Sequence, residues 1–271
     1  TAYQIKDNDR LRKNAQLTFQ FAFSDNVVST FDYTYSGVEF SSVGTMFGSW
    51  RGGWDTQSGT VNSNGVFTDV VVANRAYDHQ LIWGDTENEN ASVGINLEWD
   101  YSDTLSFVFD YHDSSAEKTG TELPNELGFV APATSTISHY NGGTSGINSF
   151  VYDTKFDADD YTYGSLYYRD AYKENQMEQM QFKGKWENLD GVVSESIKSV
   201  EFGISRADSE FNDIRMEQIN NATPGTSASS SIFTETSLNN FMTGFSTELY
   251  TSYYFDIDKV AALEEWTSNF G

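Results

Sequence analysis

The sequence predicts an all-β chain, the wall of an antiparallel up-and-down transmembrane β-barrel, from three observations. Apolar and polar residues alternate with period two in three hairpin-like stretches, at about 15–35, 91–112 and 176–207. Each alternating run is about nine residues long, close to the ~9–11 that a tilted strand needs to cross hydrocarbon and longer than the ~5–6 of a typical globular strand. The turns inside the hairpins are short, whereas the connections between them, 36–90 and 113–175, and the tail 208–271 far exceed the ~12–15 residues usual for a loop in a compact domain. Short turns at one end and long loops at the other are the asymmetry of an outer-membrane barrel.

In the first hairpin Leu17, Phe19, Phe21 and Phe23 alternate with Gln16, Thr18, Gln20 and Ala22, and Phe31, Tyr33 and Tyr35 return after Ser24-Asp25-Asn26. In the second, Val93, Ile95, Leu97 and Trp99 oppose Asn96, Glu98 and Asp100, and Leu105, Phe107, Phe109 and Tyr111 carry the return strand. The third is weaker. Met180, Phe182 and Trp186 face one way and Gln181, Lys183 and Lys185 the other, with Phe202 on the return; Gly184 and Gly203 dilute its apolar face.

This pattern assigns Leu17, Phe19, Phe21, Phe31, Val93, Ile95, Leu97, Leu105, Phe107, Phe109, Phe182 and Phe202 to lipid. It assigns Gln16, Gln20, Asn96, Glu98, Gln181, Lys183 and Lys185 to the lumen. Phe23, Trp99 and Trp186 end strands at the short turns, and Tyr35 and Tyr111 sit at the opposite ends, where aromatic girdles meet the water–lipid boundary. A soluble β-sandwich also alternates, because it buries one face and wets the other.

Composition narrows the classes. Asp and Glu number 40 against 16 Lys and Arg, a net charge of −24, so nucleic acid is an unsuitable partner. Cysteine is absent, which removes disulfides, thiolate metal sites and a Cys nucleophile. Aromatics at 15% are too many for a disordered acidic chain. No run reaches the ~18 apolar residues of a membrane helix. Within the tail, Asp258 to Trp266 has helical composition behind an Asp N-cap, and Thr223 to Ser231 reads as low-complexity and mobile.

No nucleophile elbow, zincin, P-loop or dinucleotide motif occurs. The three histidines are scattered, with His79 and His139 expected in loops and His112 on the polar face of a strand end. No cofactor, metal or catalytic residue is assigned, and a non-enzymatic role is expected. Loop aromatics Trp50, Trp54, Trp83, Tyr140, Tyr163 and Tyr167, among Asn, Asp and Gln, could stack on a sugar or planar chelate, or pack the loops on themselves.

The run Gly94-Ile95-Asn96-Leu97-Glu98-Trp99-Asp100, with Asn74-Arg75-Ala76 before it and Phe107-Val108-Phe109-Asp110-Tyr111-His112-Asp113-Ser114-Ser115-Ala116-Glu117 after it, resembles the barrel region of TonB-dependent outer-membrane receptors. The similarity is to the proteobacterial branch often associated with carbohydrate use. Arg12-Lys13 through Tyr35 and Val200-Glu201-Phe202-Gly203-Ile204-Ser205 are similar to it too. The resemblance implies a 22-stranded barrel in the outer membrane of a Gram-negative bacterium, closed by an N-terminal plug that couples to the TonB complex. It implies uptake of a small nutrient such as an oligosaccharide or siderophore. No plug, TonB box or terminal aromatic strand is found here, since Phe270 is followed by Gly271, so the chain is expected to be an internal segment. The alternatives are a secreted β-sandwich binding module or adhesin, and a passive porin-like barrel.

Overall fold

A computed structural model describes residues 2–50, 55–120, 125–132, 135–140, 146–189, 196–244 and 251–271. The chain is all-β and antiparallel, as expected. Six long runs form its main sheet: β1 (Ala2–Ser24), β2 (Val27–Gly48), β5 (Asp78–Ser102), β6 (Leu105–Gly120), β10 (Thr162–Glu187) and β11 (Ser199–Asn221). They lie side by side in sequence order, and β7 (Asn125–Val130) continues the line of β6 between β5 and β10. This is an up-and-down meander. Among the described residues it is open, since β1 and β11 each pair on one side only.

The connecting segments build two smaller sheets. One orders β3 (Thr56–Val61), β4 (Phe67–Arg75), β8 (Ser135–Tyr140) and β9 (Ser149–Tyr152). The other pairs β12 (Phe233–Ser237) with β13 (Tyr253–Ile257), followed by helix α1 (Lys259–Phe270). Asp258 caps α1 by accepting the Ala261 N–H at 3.1 Å, as its position before an amphipathic run predicts.

Four expectations change. The strands are 22 to 26 residues long in β2 and β10, not nine, so hairpins expected at 15–35, 91–112 and 176–207 extend far beyond those bounds. The supposed long loops at 36–90 and 113–175 are largely strand, and 208–271 holds the end of β11, the β12–β13 pair and α1. The reason is local: outside the apolar runs both faces are mostly polar with scattered apolar residues, as in Asp7 to Lys13 or Asp208 to Glu217, so pairing continues with no regular hydrophobic alternation to mark it. His79 and His139 lie on β5 and β8 and are buried. Thr223–Ser231 is also held in place. Tyr163 N–H donates to Thr226 O at 2.9 Å, Ala228 N–H donates to Tyr161 O at 3.0 Å, and Ala228 is buried.

The core lies at one end. Tyr3, Phe47, His79, Leu81, Leu127 and Phe129 of the main sheet meet Val70, Val72, Ile137 and Phe150 of the four-stranded sheet, Phe233 and Phe255 of the hairpin, and Trp266 of α1. We refer to these layers together as the lobe. Tyr77 is fully buried there, and its hydroxyl donates to Tyr253 O at 3.1 Å.

Candidate functional site

Strand register converts the sequence alternation into two faces. One row runs Phe19, Phe31, Ile95, Tyr111, Met180 and Arg206 across all six strands. The next runs Phe21, Ser29, Leu97, Phe109, Phe182 and Ile204, and the one beyond it passes Val27, Trp99, Phe107, Gly184 and Phe202. Leu17 and Val93 continue the same face toward the lobe, and Leu105 pairs with Trp186 at the turn end. Phe23 and Tyr35 share the face by alternation along their strands. The register thus places all the residues assigned to lipid and girdle on one side.

That side is open. Phe19, Phe21 and Phe23 are 61%, 62% and 65% exposed, and Trp99, Phe182, Phe202 and Ile204 are exposed as well. The rings touch one another: Phe107 lies 5.7 Å from Trp99 and 5.7 Å from Phe182. Gly184 leaves room for the Phe202 ring to lie over its backbone, a way of covering a glycine in a strand.

The band has a sharp upper limit. Moving toward the lobe on this face, the first charge is Lys13 on β1, Glu39 on β2, Glu89 on β5, Asp113 on β6, Glu178 on β10 and Arg206 on β11. Below those positions the face carries no Asp, Glu, Lys or Arg. Above them it is mostly acidic, with Asp9, Asp85, Glu87, Glu117 and Asp208 following. Lys13 forms an ion pair with Glu39 at 2.6 Å.

The limit also crosses the strands obliquely. The row of Arg206 reaches β1 at Phe19, ~6 residues or ~20 Å along the strand from Lys13 at the usual rise. Over the ~24 Å spanned by five strand spacings, that drift between β1 and β11 corresponds to strands tilted by about 40° from the normal to this limit. Barrel strands tilt by ~35–45°.

The opposite face carries Gln16, Gln20, Asn96, Glu98, Gln181, Lys183 and Lys185, as assigned from alternation. One row here runs Gln20, Thr30, Asn96, Asp110 and Gln181. Asn96 Nδ2 donates to Asp110 Oδ1 at 2.7 Å, and the Asp32 carboxylate lies over Gly94. Amides, hydroxyls and both signs of charge mix on this face, so it can offer hydrogen bonds without a dominant field.

The loop aromatics divide. Trp50 is 55% exposed, and its carbonyl accepts from Arg75 Nε at 2.8 Å. Tyr167 is half-buried under the Arg169 guanidinium, 4.4 Å from its ring centre. Trp83 is buried with Lys259 Nζ 5.5 Å over its ring, and Tyr163 is buried against Phe129 and Trp266. Those two rings pack the lobe and are not presented to a ligand. Trp54 and the side chain of Tyr140 lie outside the described residues.

Sequence reading missed the lobe core, including Tyr3, Phe47, Phe129, Phe150 and Phe255. Its faint signals were the apolar runs Val70-Val71-Val72 and Leu81-Ile82-Trp83. Among the described residues no group of three or more His, Asp or Glu side chains is arranged to hold a metal ion, and no helix is long and apolar enough to cross a membrane. No family model matches the chain, and no curated protein matches it.

Proposed function

We propose that the chain forms part of the wall and one end lobe of an outer-membrane β-barrel receptor, which passes a small nutrient such as an oligosaccharide or siderophore through the membrane. The observation that carries this reading is the uncharged apolar band, open to its surroundings, whose limit toward the lobe crosses the strands obliquely as it would in a tilted barrel wall. Hydrocarbon tolerates neither charge nor an unpaired strand edge. In this reading the free edges of β1 and β11 are therefore paired by further strands of a larger barrel. The mixed polar face then lines the lumen, where Asn96, Asp110 and Gln181 offer hydrogen bonds to a passing solute. Transport is capture followed by gated passage, with no bond made or broken. Energy coupling through a plug and the TonB complex belongs to the same proposal.

The lobe favours a second reading. It covers one end of the same face, as a second layer does in a soluble sandwich, and would suit a secreted binding module.

Fluorescence quenching by lipids brominated at defined acyl depths separates the two. The membrane reading expects Trp99 and Trp186 to be quenched by shallow bromines and Trp83 to be protected. A chain that remains monomeric without detergent and shows no quenching overturns it.

A further inference from the structure

The two-stranded sheet β12–β13 is strand-paired with neither of the other sheets. It is held in the lobe by packing and by a few single hydrogen bonds, and one of these, to the main sheet, involves an imidazole. His79, on β5, is fully buried, and its Nε2 accepts the backbone N–H of Phe255 on β13 at 3.1 Å. The ring stacks on Phe47 of β2, with centroids 5.7 Å apart, and meets Tyr77, Tyr161 and Phe255 at steeper angles. Beside it, Tyr254 stacks on Phe47 at 5.1 Å.

The surroundings favour the neutral ring, chiefly through burial, with the Tyr77 backbone carbonyl acting more weakly the other way. The titratable groups facing it are the phenols of Tyr77 and Tyr161, both buried and both held protonated by burial. Phe47, Phe129 and Phe255 supply hydrocarbon from β2, β7 and β13. Asp78 precedes His79 in the chain, so it points to the other side of the strand, and Asp256 next to Phe255 is exposed. No carboxylate offsets an imidazolium here. A proton on Nε2 would also point at the N–H it now accepts.

We propose that His79 is an acid-sensitive latch: as the neutral ring it accepts the Phe255 N–H and holds the β12–β13 layer on the sheet, and protonation releases that layer and uncovers the aromatic surface around Phe47 and Tyr161. Burial pushes the imidazole down to about 3 in the closed form, whereas a freed histidine titrates near ~6.5. The lowered value in the closed state means that opening takes up a proton. Opening therefore becomes about tenfold more favourable for each pH unit below ~6.5, until the closed-form value is reached. Asp78, on the other side of the strand, has its backbone paired with Gly48 and Val130 inside the main sheet and not with the layer that lifts. The latch is independent of what touches the apolar band.

Amide hydrogen exchange on the full chain between pH 7.5 and 4.5, corrected for intrinsic rates, tests it. Protection of the Phe255 amide should fall about tenfold per pH unit below ~6.5, while that of Phe19 in the β1–β2 pairing should not. His79→Gln, which offers an acceptor that does not titrate, should flatten the profile. Flat protection in the parent chain, or the same slope in H79Q, overturns the latch. Should H79Q fail to fold, the ring titration of His79 in the parent chain decides. A midpoint well below ~6.5 with the Phe255 resonance moving in step supports the latch, and a midpoint near ~6.5 with Phe255 unmoved overturns it.

Discussion

Phe107 and Phe182 stack on neighbouring strands, with ring centroids 5.7 Å apart and planes 21° from parallel, and Phe182 is still 39% exposed. In water an open stack of this kind leaves apolar area unburied. In hydrocarbon it costs nothing. The same contrast makes the band testable by substitution.

Phe19, at 61% exposure, sits mid-band in a row that continues through Phe31 and Ile95. In a membrane barrel, Phe19→Lys is expected to cost about 2–4 kcal/mol, because a cation enters the hydrocarbon. On a water-exposed sheet the same change stays within about 0.5 kcal/mol. Denaturant unfolding from phospholipid vesicles measures the difference, and the small value would refute a lipid-facing position.

Gly44 on β2 lies where a Cβ would collide with the backbone of Ile5 and Lys6 on β1. Backbone cannot rotate away as a side chain can. Gly44→Ala is therefore expected to destabilise by about 1–3 kcal/mol, despite alanine's lower unfolded-state entropy. Gly65 has open space around it but a φ of 77°, so its cost there would come from the backbone alone. Urea midpoints for G44A should show the loss, and an unchanged midpoint would mean the strands can move apart.

Tyr77→Phe removes the hydroxyl that donates to Tyr253 O from a fully buried site. The expected cost is about 1–2 kcal/mol, from the lost bond and the acceptor left behind. It should appear as a lower denaturation midpoint with an unchanged m-value. A neutral result would indicate that water reaches the site.

Asp78 and His79 titrate in opposite senses. Burial pushes the Asp78 carboxyl up to about 7, against a smaller lowering by Arg75. With its folded value raised, the stability it supports is present below ~4 and is lost as pH rises toward 7, by up to about 1.4 kcal/mol per unit. His79, with its folded value lowered to about 3, loses stability as pH falls below ~6.5. Between ~4 and ~6.5 the two slopes oppose each other, so these groups make global unfolding nearly independent of pH. Asp78→Asn should unmask the histidine, with thermal stability dropping as acid is added below ~6.5. A D78N profile as flat as the parent's would contradict the assignment.

Period-two alternation was enough to place Phe19, Leu97, Phe107 and Phe182 on one face and Gln20, Asn96 and Gln181 on the other, because successive side chains in a strand point to opposite sides whatever the strand pairs with. The Asp cap of α1 was legible for a similarly local reason. The polar arms of the strands were not legible, since residues wet on both faces leave no periodic mark. Nor was the lobe. β4 pairs with β8, and His79 meets Phe255, across 176 residues in the latter case. Contacts at that separation depend on which distant surfaces fit together, and no window of local sequence carries the information. The oblique course of the apolar band belongs to the tertiary structure as well, because it exists only once six strands are set in register. The sequence by itself determined which side chains share a face. Only the folded sheet decided how that face is inclined and which end of it is covered, because register and packing join residues that the chain order keeps apart.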